Sequence, residues 1–398
     1  ASKSLEKGAK VVLVDDHNIP GGFYRYLPSM KNNIDKLTNV ILKKGSIILT
    51  NSKFLGRFVD GYAITSPSTF YIVKPKSIIY AAGGLNPIPL YENNDLPGTI
   101  DLEMMLKLAS RKPELLKKSI ILGCPHALGR IAEIIGKIGS TVICHGNDSN
   151  QDMNIEGVNF LDYSGRLLKA LGGNRVEKVV LEDERKIDAS FVVSGYTPFP
   201  DINLVIQDGG KPLYLPDFNR FTVQHNGLGM VRENVFVAGL AAGFFDEKCA
   251  IRQSEIAGLL AVELKGEAIQ SEVDDFISEC KDSIEVIKES NSLNYTLTPA
   301  HIDFWETKNS KGLQFIDWDI DITIEDVIKA YDEGYNVMEL IKRYTGIGTA
   351  AEQGRLTIPT TIMLLSALKG ISLSKLGWFH IRPPHMLPTI GELAVEVE

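Results

Sequence analysis

The 398 residues are 44 % hydrophobic and 23 % charged, the balance of an ordinary globular chain with apolar surface enough for two or three domains. A formal net charge of −8 leaves no basic stripe for a phosphate backbone, which excludes nucleic acid as an expected partner. No apolar run approaches bilayer-spanning length, the longest lying around Ile362 to Leu368, and Ala1 to Lys7 lacks the apolar core of a secretory leader, so a cytoplasmic location with no membrane span is expected.

In chain order, Lys3 to Gly8 reads as the end of a helix with a glycine stop, and Lys10 to Asp16 as a strand ending in acid. In a dinucleotide-binding βαβ unit this is the second strand, and Asp15 or Asp16 is placed to accept hydrogen bonds from an adenosine ribose. Such a unit carries a strand and a G-x-G-x-x-G turn ahead of that position, and neither precedes Lys10. The expectation is that a separate small chain or an upstream segment supplies them. Asn18 to Gly22 forms the following loop, with Gly21 and Gly22 as candidate cofactor contacts, although Pro-Gly-Gly taken alone is a turn. A helix over 29–42 and short strands over 46–50, 55–65 and 70–73 come next, the strands forming a small antiparallel layer.

Ser77 to Gly84 is a buried strand ending in small residues, with Ala82 and Gly83 at its tip, and a helix over 101–109 leads on to a second nucleotide-type unit. There Ser119 to Gly123 reads as strand, Cys124 to Leu128 as turn, 129–138 as helix and 140–144 as strand. The fingerprint is poor, because Pro125 and Leu128 stand where small residues let a pyrophosphate approach, and the second strand ends at His145-Gly146 without an acid. Asn234 to Gly243 repeats the strand-and-small-residue pattern, with Gly239 and Leu240 at the turn into a helix over 249–264. Cys124, Cys144, Cys249 and Cys280 share no short spacing, which argues against a disulfide framework, a CxxC redox pair or a cysteine-ligated cluster and for four small buried hydrophobes.

The strand ends at Ala82-Gly83 and Gly239-Leu240 resemble those of flavoproteins with two dinucleotide-binding domains, although Ala82 replaces the usual Thr and Leu240 the usual Asp. The fold expected from this is α/β, with two dinucleotide-binding domains of the FAD/NAD-linked reductase kind, the first split and truncated, followed by a helical C-terminal domain. The expected boundaries are 1–102 with 199–265 for the split domain, 103–198 for the insert and 266–398 for the helical domain.

In that last region Thr323 and Asp326 have the spacing of a helix capping arrangement, and Glu333-Gly334 ends the helix. The run Val337 to Arg355, with Gly377 to Pro384, Ser194 to Pro198 and Ala238 to Gly243, resembles the α subunits of heterotetrameric sarcosine oxidase, dye-linked proline dehydrogenase and opine oxidase. The C-terminal part resembles a bacterioferritin-associated ferredoxin domain. Cluster-containing relatives carry cysteines near the equivalents of 315–317 and 351–357, and this chain has none there, so no iron–sulfur cluster is expected. His380 and His385 lack an evident third ligand, and no metal site is expected.

The resemblance implies a subunit of a flavin-dependent amine oxidoreductase, inactive alone, with no catalytic residue of its own. A β subunit would carry FAD and the amine site. FMN would lie at the subunit interface and relay electrons from the FAD, and an adenine nucleotide (NAD, FAD or ATP) would occupy the first site. Lys342, Arg343, Thr345 and Gln353 are the candidates for the FMN side, since basic and hydroxyl groups beside a glycine turn suit a phosphate, and Arg382 is a further one. Lys342 and Arg343 equally suit a solvated helix end that complements its dipole. Two other functions fit the residues: a scaffold that supports the β subunit, favoured by Leu240, Pro125 and Leu128, and an NAD(P)H-dependent flavoprotein reductase.

Overall fold

The structure is a computed structural model that describes residues 1–43, 45–123, 131–144, 158–161, 166–262, 267–290, 293–306 and 312–395. The chain divides into two compact units, one of residues 1–84, 200–293 and 379–398, the other of residues 85–199 and 294–378.

In the first unit Val12–Val14 pairs in parallel with Ile47–Leu49, Val12 opposite Ile47. A parallel pair needs a crossover, and the helix Pro28–Lys43 supplies it. Gly21, at φ 119°, admits the chain to the 3-10 turn Gly22–Tyr26, and a Cβ there would lie 2.8 Å from Ile34 Cγ2. The expected single strand over 55–65 is instead a hairpin of Lys53–Phe58 and Gly61–Thr65, extended by Phe70–Val73. Its turn falls at Val59-Asp60, and Gly61 follows at φ 146° with its α-carbon against Val73, where a Cβ would stand 2.7 Å from that residue's carbonyl.

Ile78–Tyr80 lies parallel to Val235–Val237, whose other edge pairs with Met230–Arg232 antiparallel. Val235, Phe236 and Val237 are buried, as expected for an inner strand. The helix after them runs over Glu247–Leu260, starting earlier and ending sooner than the sequence pattern suggests. The helices Glu267–Glu279 and Lys281–Glu289 follow. Here one cysteine expectation is corrected: Cys249 and Cys280 are joined by a disulfide, with Cα atoms 5.7 Å apart across 31 residues of sequence. Spacing along the chain could not reveal a pair brought together by helix packing.

The second unit is built on a five-stranded sheet in the order Asn159–Leu161, Thr141–Cys144, Ser119–Gly123, Phe191–Gly195 and Thr99–Asp101, all parallel. Ser119–Gly123 is buried throughout, and each large aliphatic side chain so buried contributes roughly 1.5–3 kcal/mol. Gly123 stands opposite Gly195 so closely that a Cβ would meet the Gly195 carbonyl oxygen at 2.3 Å. The turn with Pro125 and Leu128, and His145-Gly146, lie outside the described residues. An antiparallel meander of Leu167–Leu171, Lys178–Leu181 and Lys186–Asp188 is appended.

The same unit contains the antiparallel pair Phe315–Asp317 and Ile322–Thr323 and the helices Ile324–Asp332, Met338–Thr345 and Thr357–Lys369. The Thr323 cap forms as expected, its hydroxyl accepting from Asp326 N at 3.3 Å and donating to Asp326 Oδ2 at 2.7 Å. Thr357–Lys369 is buried along its first ten residues, which accounts for the apolar run over 362–368. Among the described residues no helix is long and apolar enough to cross a membrane.

Candidate functional site

The sequence candidates fall into two groups, one in each unit. In the first unit the strand Val12–Val14 delivers Asp15 and Asp16 to its C-terminal end. Asp15 Oδ1 accepts the amide of His17 at 2.9 Å, and the His17 ring places Nδ1 2.9 Å from Asp16 Oδ1 and 3.4 Å from Asp15 Oδ1. Among the described residues these three form the one group whose ligand atoms lie close enough for a metal ion. His380 is exposed, as is Arg382, whereas His385 is buried with Nε2 4.0 Å from Asp201 Oδ2.

Gly21 and Gly22 both take positive φ in the loop beyond the acids. At the tip of Ile78–Tyr80, Ala82 is exposed, and Gly83 takes φ 71° in open space, where a Cβ would meet no atom within 4 Å. Gly239 and Leu240 open a 3-10 turn, Gly239–Ala242, and the α-helix starts only at Glu247. That turn is held from inside the chain. Gly239 N donates to Gln253 Oε1 at 2.7 Å, Thr222 Oγ1 donates to Ala241 O at 2.9 Å, and His225 Nε2 lies 2.9 Å from Ala242 O. The helix N-terminus is capped by Asp246, which accepts from Cys249 N at 2.9 Å. The Gly239 amide of the turn and the Cys249 amide of the helix therefore already have acceptors.

His225 is held as a neutral imidazole. Its Nδ1 accepts from Gly227 N at 3.1 Å and Gly229 N at 3.2 Å, which places the ring hydrogen on Nε2 facing Ala242 O. Burial lowers its pKa to about 4, against a smaller opposing effect of the Ala242 carbonyl.

In the second unit Lys342, Arg343 and Thr345 lie in the last turns of Met338–Thr345, which ends on Gly346 at φ 82°. Arg343 is largely exposed and pairs with Glu339 Oε1 at 2.9 Å. Thr345 Oγ1 donates to Ile341 O at 2.8 Å and accepts from Ile347 N at 3.2 Å. Gln353, itself at φ 54°, donates through Nε2 to Ala350 O at 2.6 Å. Two carboxylates that sequence reasoning passed over lie beneath this loop. Asp317 is fully buried and accepts from Gly348 N at 3.0 Å; Glu352 accepts from Gly354 N at 2.8 Å and Leu356 N at 2.9 Å. Desolvation raises the pKa of both, and for Glu352 the charge of Asp317 adds to it. An acid inside a glycine turn, four residues after Gly348 and two before Gly354, is the local signal that could have marked Glu352.

Residues 311–396 match the sarcosine oxidase A3 domain family. The sarcosine oxidase α subunit of Rhizobium meliloti (strain 1021) is 27 % identical over 221 residues, covering 56 % of this chain and 20 % of that protein. The α subunit from Corynebacterium sp. (strain P-1) is 24 % identical over 234 residues, covering 58 % of this chain and 22 % of its own length. The matches thus span about a fifth of the curated relatives. Among solved structures, L-proline dehydrogenase from P. horikoshii superposes with TM-score 0.70 at 17 % identity, over 99 % of this chain and 76 % of that one. The water-forming NADH oxidase of Lactobacillus brevis gives TM-score 0.51 at 13 % identity over 66 % of each. The fold of these oxidoreductases is thereby shared, and the A3 match agrees with both curated relatives in making the chain similar to sarcosine oxidase α subunits.

Proposed function

We propose that the chain is the α-type subunit of a multi-subunit flavin-dependent amine oxidoreductase, acting on a secondary amine or amino acid, and inactive without its companions. The observation that carries this reading is the A3-family match at 311–396, in a chain whose fold follows an L-proline dehydrogenase over 99 % of its length. FAD and the amine site belong to a β subunit, and FMN sits where the face around Lys342 to Arg355 meets it. When bound, the flavin supplies the electron relay; this chain's residues bind and orient it. The fit is through side chains, because Lys342 and Arg343 stand at a helix end beside a glycine turn, whereas the loop amides of Gly348, Gly354 and Leu356 are taken by carboxylates.

At the first site Asp15 and Asp16 fit the ribose of an adenine nucleotide, both being acceptors at a parallel strand end. Val12–Val14 bonds only Ile47–Leu49 among the described residues, which supports a further strand and glycine turn, from a small chain or an upstream segment, beside it. A second reading, the scaffold subunit, is favoured by the internal capture of the Gly239 amide. The test is FMN content of the purified complex with Lys342 and Arg343 both changed to Ala: FMN should fall while FAD stays in place. Unchanged FMN would remove these residues from the site, and absence of FMN from the unaltered complex would favour the scaffold.

A further inference from the structure

The loop from Gly346 to Leu356 turns at three glycines of positive φ, Gly346 (82°), Gly348 (68°) and Gly354 (76°). Gly348 and Gly354 approach so closely that a Cβ on Gly348 would lie 2.9 Å from Gly354 Cα. A glycine loop ahead of a helix ordinarily offers its amides to an anion. Here those amides face carboxylates of the same unit. Asp317 Oδ2 takes Gly348 N, and Asp319 Oδ2 takes Glu352 N at 3.2 Å. Glu352 Oε1 takes Gly354 N and the Thr357 hydroxyl, while its Oε2 takes Leu356 N. A second anion brought to the same amides would meet the negative ends of these groups.

We propose that Asp317 and Glu352 are positioning residues for the flavin-facing loop: by drawing its amides inward they leave the phosphate to be met by side chains, Lys342 and Arg343, instead of by a backbone cradle. This rests on the proposed FMN reading. Asp317 fixes the first half of the loop from the end of the strand Phe315–Asp317, and Glu352 fixes the second half at the entry to the helix Thr357–Lys369. Loss of either carboxylate frees amides to swing outward and displaces the loop relative to the helix end that carries the cations.

The test is hydrogen exchange of 346–356 in the purified complex after removal of flavin, with FMN affinity and FAD content measured in parallel. Asp317→Asn and Glu352→Gln should each speed exchange of this segment about tenfold or more and weaken FMN binding about tenfold, with FAD unaffected. Thr357→Val, which removes one donor to Glu352, should give a smaller change confined to the same segment, and it serves if a carboxylate variant fails to fold. Unchanged exchange in the variants would overturn the positioning role, as would faster exchange with FMN affinity intact. Lys342→Ala with Arg343→Ala should lower FMN binding at unchanged exchange; full FMN binding there would remove Lys342 and Arg343 from the FMN site on which the proposal rests, separately from the exchange result.

Discussion

Gln253 Oε1 accepts the amide of Gly239 at 2.7 Å, and the other end of the same side chain donates to Val237 O at 3.0 Å and Leu228 O at 3.1 Å. One fully buried amide therefore ties the end of an inner strand, the turn after it and a neighbouring loop. Gly229 makes room for it, since a Cβ there would stand 2.2 Å from Gln253 Nε2. We predict that Gln253→Ala destabilises the chain by about 2–3 kcal/mol, because it orphans three backbone groups that water reaches poorly. Urea denaturation measures this, and a shift under 1 kcal/mol would show that the turn is held by Thr222 and His225 instead.

His225 should give the stability curve an acid limb. Its folded pKa of about 4 lies below the unfolded value near 6.5, so between those values the unfolded chain binds more protons. Stability from this group is then fully present above pH 6.5 and is lost as pH falls toward 4, by roughly 3 kcal/mol in all. A proton on Nδ1 would face the amides of Gly227 and Gly229, both donors. His225→Gln should flatten that limb; an identical pH dependence in the variant would refute the assignment.

The Cys249–Cys280 disulfide closes a loop across 31 residues, for which the chain-entropy account gives about 3–4 kcal/mol. Arg252 lies on the same helix as Cys249 and pairs across to the helix Glu267–Glu279, with Glu272 at 3.4 Å and Glu279 at 3.5 Å. We expect Cys249→Ser to lower the melting temperature while the ion pairs keep the helices associated. Equal melting of oxidised, reduced and variant protein would mean that the bond contributes nothing.

Asp208 should be the most sensitive acid in the first unit. Its carboxylate, fully buried, accepts from Arg57 at 2.9 Å, Arg232 at 2.6 Å, Tyr62 at 2.8 Å and Tyr80 at 3.1 Å. The two arginines are half exposed and can turn to water, but the Tyr80 hydroxyl cannot. A cost of about 3 kcal/mol for Asp208→Ala follows. A loss below 1 kcal/mol on chemical denaturation would contradict it.

The sequence exposes what repeats locally. The Thr323–Asp326 cap, the inner strands at 119–123 and 235–237 and the helix Pro28–Lys43 follow from spacing and periodicity alone. Hidden from it are pairings between distant segments. Asp317 with Gly348, Gln253 with Leu228 and Cys249 with Cys280 are each brought together by packing, and nothing in the local pattern of either partner encodes the other. The same limit explains the Gly239 turn, whose glycines are visible in sequence while the side chain that occupies its amide is not.

The central claim, that this chain is one subunit of a multi-subunit flavoprotein, is tested most directly by native mass spectrometry of the purified assembly with release and identification of its flavins. The predicted result is a heteromer in which a second chain carries FAD and FMN is released as well. A monomer of this chain that carries its own FAD and oxidises sarcosine or proline with a dye acceptor, unaided, would contradict the account.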